Sequence, residues 1–71
     1  MLKFAKRLKE LREEKNLTKT QLALEVKCKI TRSAISLWEA EKRIPNLEAA
    51  AILAEFFGVS LDYIAGLTDF K

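Results

Sequence analysis

The side chains best suited to chemistry lie together in one short run, Thr31-Arg32-Ser33-Ala34-Ile35-Ser36-Leu37-Trp38-Glu39. On a helix turning about 100° per residue, with Ile35 as origin, Thr31, Ala34 and Trp38 fall to one side and face a core. Arg32, Ser33, Ser36 and Leu37 fall together on the opposite arc. That arc carries a bidentate donor, two small hydroxyls and an aliphatic group. Arginine forks onto guanine O6 and N7, serine bonds several base edges, and an apolar group packs on a thymine methyl. A merely solvated helix can present the same surface, so the arc alone leaves that alternative open. Catalysis is poorly served: the 71 residues include no histidine and one cysteine, Cys28. A serine or cysteine nucleophile has no histidine base, and zinc would lack both imidazole and a second thiolate. Neither a metal nor a cofactor is expected, and an enzyme is not.

A helix placed to use such a face needs neighbours, and the pattern supplies them. Phe4, Leu8 and Leu11 recur at helical spacing, predicting a first helix over 2–15. Leu17-Thr18-Lys19-Thr20-Gln21-Leu22 is a start signal: Thr18 caps, Gln21 completes a capping box, and Leu17 staples to Leu22. The same grammar recurs at Ile30-Thr31 with Ile35 and at Val59-Ser60 with Ile64. Asn46 after Pro45 is a further N-cap, and Gly58 suits the position that ends a helix. Helices are therefore expected over 18–26, 31–40, 46–57 and 60–66, with a helix-turn-helix at about 18–40. The fold class is all-α, a compact five-helix domain spanning 1–71. At 49% hydrophobic and 32% charged the chain is globular rather than disordered. Its longest uncharged apolar run, 49–54, is far too short to span a bilayer. The N-terminus lacks signal-peptide order, and a single cysteine favours a reducing, cytoplasmic setting.

The formal charge of +3 is polarised. Residues 1–45 hold twelve Lys and Arg against six acids, whereas 46–71 hold one lysine against four. A basic half beside an apolar, mildly acidic half suggests one surface for a polyanion and another for packing or self-association.

Several blocks in order then resemble a known family: Leu11 to Thr18, Gln21 to Ala23, Thr31 to Glu39, Lys42 to Glu48, and Phe57 to Gly66. Together they are similar to the phage-repressor-like (lambda-repressor-like, XRE) helix-turn-helix regulators over about 4–68. The resemblance implies a five-helix domain whose third helix enters the major groove of double-stranded DNA, two copies reading a two-fold operator. By position, Thr31, Arg32, Ser33 and Leu37 occupy the family's base-contact sites, with Ser36 able to reach a base or phosphate. Lys19 stands where the family commonly has a glutamine bonded to phosphate. Lys42, Arg43 and Asn46 match its phosphate-gripping loop and fourth-helix start. Arg12 and Glu39 match a structural pair joining the first helix to the end of the third.

Two departures accompany the resemblance. From Ala23 to Glu39 the chain is two residues longer than usual, which places an insertion near Lys27–Lys29 and puts the docking pose of the third helix in question. Cys28 lies in it and reads as an ordinary partly buried thiol rather than a redox sensor. Apolar residues beyond core needs over 46–71, especially Tyr63, Leu67 and Phe70, are candidates for a homodimer patch. The expected role is a sequence-specific transcriptional regulator, a dimeric repressor in a bacterial or phage-infected cytoplasm, at the nucleoid. The alternatives are an antitoxin-like protein-interaction module and the N-terminal domain of a longer repressor.

Overall fold

The computed structural model describes residues 3–26 and 30–71. The expected insertion at 27–29 therefore lies outside the described residues, together with Cys28. Among the described residues five helices follow in order: α1 (Phe4–Glu14), α2 (Lys19–Val26), α3 (Arg32–Glu39), α4 (Leu47–Phe57) and α5 (Leu61–Ala65). Among these described residues no strand occurs and no helix is long and apolar enough to cross a membrane.

The helix starts follow the expected caps. Thr18 and Gln21 form a reciprocal box, with Thr18 N–H donating to Gln21 Oε1 at 2.8 Å and Gln21 N–H to Thr18 Oγ1 at 3.1 Å. Thr31, Asn46 and Ser60 each accept from the backbone N–H three residues on. These three caps have extended backbones, so each helix begins one residue later than the periodicity suggested.

The ends are less uniform. Gly58 and Gly66 close α4 and α5 in the left-handed region. Asn16 and Glu41 adopt the same region without being glycine, at φ 58° and 60°. Asn16 ends the first helix at a short turn, a conformation asparagine tolerates. At Glu41 the turn is held by Lys42 N–H donating to the Leu37 carbonyl at 2.9 Å.

The core gathers one stripe from each helix. Leu8, Leu22, Ile35, Leu53 and Ile64 are its largest fully buried side chains. Phe4 meets the indole of Trp38 edge-on, with ring centroids 6.0 Å apart. Ile30 and Ile35 are both buried, as the staple requires, while Leu17 and Val59 pack half-buried against the cluster. Helix α3 packs on α1 and α2, α4 on α2 and α5, and α5 returns to α1. Burying the inner side of α3 in this way leaves its other side outward.

The two glycine caps give a direct comparison. A Cβ at Gly58 meets nothing within 4 Å, whereas one at Gly66 lies 2.9 Å from Lys3 Cβ and 3.1 Å from its backbone nitrogen. Gly58→Ala should cost about 1 kcal/mol for the left-handed backbone alone. Gly66→Ala should cost about 2–4 kcal/mol, because α1 must also move. Urea denaturation reads the difference, and equal losses would contradict the close approach of α5 to Lys3.

Candidate nucleic-acid interface

The outward side of α3 presents Arg32 and Ser33 exposed, with Ser36 and Leu37 half-buried beside them. Arg32 is free to extend as a bidentate donor from the first turn. Thr31 has a prior duty, since its Oγ1 accepts the Ala34 N–H at 3.1 Å. Its hydroxyl hydrogen remains available to an acceptor. Asn46 is similar: Oδ1 accepts from Ala49 at 2.8 Å, which leaves its amide NH₂ to donate outward. Lys42 and Arg43 are exposed on the turn after α3. Lys19 is the half-exposed first residue of α2.

The structure brings five of these residues together in two places, and Thr31, Arg32, Ser33 and Lys42 line neither. Leu37 and Arg43 line a groove between α3 and α4 with Ile44, Pro45 and Asn46. Ser36 and Lys19 share a recess between α1, α2 and the end of α3. Ile44, which lines the groove between α3 and α4, and Leu47, the first residue of α4, are 72% and 70% exposed. The sequence reading did not single them out, because apolar residues flanking a helix start ordinarily pack inward.

The orientation of α3 is held by Arg12. Its Nε donates to Glu39 Oε2 at 2.8 Å and its Nη2 to Oε1 at 3.0 Å, a fork on one carboxylate. Its Nη1 donates to the Leu17 carbonyl at 2.8 Å. One guanidinium thus joins α1, the turn before α2 and the last residue of α3. Both side chains are withdrawn from water, at 11% and 5% exposure. The hydrogen bond to Glu39 raises the Arg12 pKa above its ordinary value, against the opposing effect of burial, so the guanidinium stays charged.

A second arginine was missed in sequence. Arg7 is buried, donating to the carbonyls of Tyr63 and Thr68 and, at 2.7 Å, to Asp69 Oδ1. Its guanidinium lies over the Tyr63 ring, 4.1 Å from the centroid. The available signal was its place on the stripe of Phe4, Leu8 and Leu11, where a charge must find partners. Of the dimer candidates, Tyr63 is therefore half-buried under Arg7, while Leu67 and Phe70 stand 78% and 85% exposed.

The helix-turn-helix family model matches residues 8–64, and the chain belongs to that family, in its XRE-type, lambda-repressor-like branch. The helix-turn-helix of this family is the DNA-binding domain of transcriptional regulators. The chain is 41% identical over 61 residues to the HTH-type transcriptional activator BcrR of Enterococcus faecalis, covering 86% of this chain and 29% of that protein. It is 44% identical over 66 residues to the uncharacterised HTH-type transcriptional regulator YobD of Bacillus subtilis (strain 168), covering 93% of this chain and 57% of that protein. The chain thus spans less than two thirds of either relative. No solved structure matches it.

Removing one member of the Arg12–Glu39 pair should destabilise the fold by about 3 kcal/mol, because the other charge is left buried and unpaired. Thermal melting should therefore fall by roughly 10–20 °C for Glu39→Ala. Replacing both by apolar residues of similar size, Arg12→Met with Glu39→Leu, should recover much of that loss. A double variant less stable than either single would contradict this reading of the pair.

Proposed function

We propose that this chain is the DNA-binding part of a sequence-specific transcriptional regulator that grips a two-fold operator as a homodimer and represses by occluding a promoter. The observation that carries the reading is the outward face of α3, with Arg32, Ser33, Ser36 and Leu37 on a helix fixed from behind by Arg12. Arg32 reads a guanine, Ser33 and Ser36 take base or phosphate acceptors, and Leu37 supplies apolar contact. Thr31 adds a hydroxyl donor at the helix start. Lys19, Lys42, Arg43 and the Asn46 amide hold the backbone on either side, giving affinity and register without reading sequence.

Leu67 and Phe70 support the dimer. Two large apolar side chains left in water in the segment after α5 gain by meeting their own copies across a two-fold axis, with Tyr63 as backing. Whether occupancy represses depends on where the operator lies, and one relative carries the name activator. Occlusion is the simplest mechanism for a domain of this size, because bound protein and polymerase exclude each other.

Arg32→Ala should cost about 1–3 kcal/mol at one base position and relax preference there, leaving other positions unchanged. With three to five phosphate contacts per subunit, log affinity against log salt should fall with slope roughly −5 to −9 for the dimer. Anisotropy titrations on matched and mutated duplexes measure both. An Arg32→Ala variant with parental discrimination would remove Arg32 from base reading. For the dimer, Phe70→Asp should shift sedimentation toward monomer and weaken operator binding without lowering the melting temperature. Unchanged sedimentation would place the interface elsewhere.

A further inference from the structure

On α4 the spacing of Glu48, Ala51, Ile52 and Glu55 sets two carboxylates and two apolar groups on one helical face. That face is not spent on the core: Glu48, Ala51 and Glu55 are exposed, and Ile52 is half-buried. Helix α2 adds the buried Val26 and the exposed Glu25. Between the two helices runs a groove of about 410 Å³, with Val26, Ala51, Ile52 and Phe56 as its apolar lining. Glu25, Glu48 and Glu55 line it as well, and among the described residues no lysine or arginine does. None of these three carboxylates has an ion-pair partner within 4.0 Å among the described residues. Three acids on one apolar groove run against a chain whose net charge is +3. One ring of the lining already attracts a cation. The Lys15 ammonium, from outside the groove, lies 5.8 Å from the centroid of Phe56.

We infer that the groove between α2 and α4 is a docking surface for another protein, and that its occupant is a cationic amphipathic helix. The apolar lining gains when apolar side chains cover it, and the three carboxylates gain from positive charges set beside them. A helix with an apolar stripe at i, i+3, i+4 and i+7, flanked by lysine or arginine, supplies both. Helix α4 sets its length: 11 residues run about 16 Å, so roughly three turns of partner helix cover the groove. The same carboxylates repel a DNA backbone, so the occupant is a protein and not the duplex. The docking does not depend on the DNA-binding reading, and its test uses no DNA.

The test is selection on the full chain from a library of random displayed peptides, about three to four helical turns long, with counter-selection on Ala51→Arg. Ala51 is exposed and arginine is a good helix former, so this variant should melt as the parent does. Peptides retained by the parent alone should carry apolar residues at helical spacing, flanked by lysine or arginine. A synthetic copy of the strongest should shift the amide resonances of Val26, Ala51, Ile52 and Phe56 more than those of α3. Glu25→Gln combined with Glu55→Gln should weaken that peptide about tenfold, and added salt should weaken it on the parent. Exchanging its cations for glutamate should abolish binding. Enrichment of acidic or uncharged peptides, or of none, would overturn the inference. So would equal retention by Ala51→Arg, or resonance shifts confined to α3 or to the segment after α5. Sedimentation in which Ala51→Arg turns a dimer into a monomer would give the groove to a second copy and overturn it equally.

Discussion

The fork of Arg12 on Glu39 is the constraint on which the rest of the interface depends. A buried ion pair of this kind contributes little net stability, since desolvation offsets most of its attraction. Its effect is geometric. Two charges removed from water have one satisfactory arrangement, and that arrangement ties the last turn of α3 to α1 and to the Leu17 carbonyl. A recognition helix needs its orientation held more firmly than ordinary apolar packing achieves, because apolar contacts allow sliding and rotation. The pair supplies that restraint at the end of α3 opposite Arg32.

Arg7 performs a related task at the other side of α1. Its donors converge on Tyr63, Thr68 and Asp69, and its plane covers the Tyr63 ring, so α5 and the segment after it are drawn onto α1. Asp69 is itself largely exposed, so the ion pair adds little by itself. The carbonyl bonds, which no water can replace once Arg7 is buried, hold the segment in place. Leu67 is then carried outward on a fixed backbone, and Phe70 with it. Helix α1 is accordingly a frame with two arginine anchors, one fixing the end of α3 and one fixing the segment that follows α5.

The helices were legible in sequence because their signals are local. Thr18 with Gln21, Thr31, Asn46 and Ser60 each announce a start within three residues, and Phe4, Leu8 and Leu11 state a buried face by spacing alone. The Arg32, Ser33, Ser36 and Leu37 arc followed from the same periodicity. Arg12 and Glu39 could be paired only through a family resemblance, since 27 residues separate them. Arg7 was not legible, because its partners lie 56 to 62 residues away and a charge on an apolar stripe does not name them. The left-handed Glu41 was equally hidden, because the turn is held by a backbone bond from Lys42 to the Leu37 carbonyl rather than favoured by the residue itself.

The central claim is that α3 reads base sequence while its surroundings hold the backbone. Selection of bound duplexes from a random pool tests it most directly. A palindromic consensus with half-sites about one helical turn apart is the predicted result, containing a guanine whose preference disappears in the Arg32→Ala protein. Recovery of unenriched sequence by a folded protein would contradict the account.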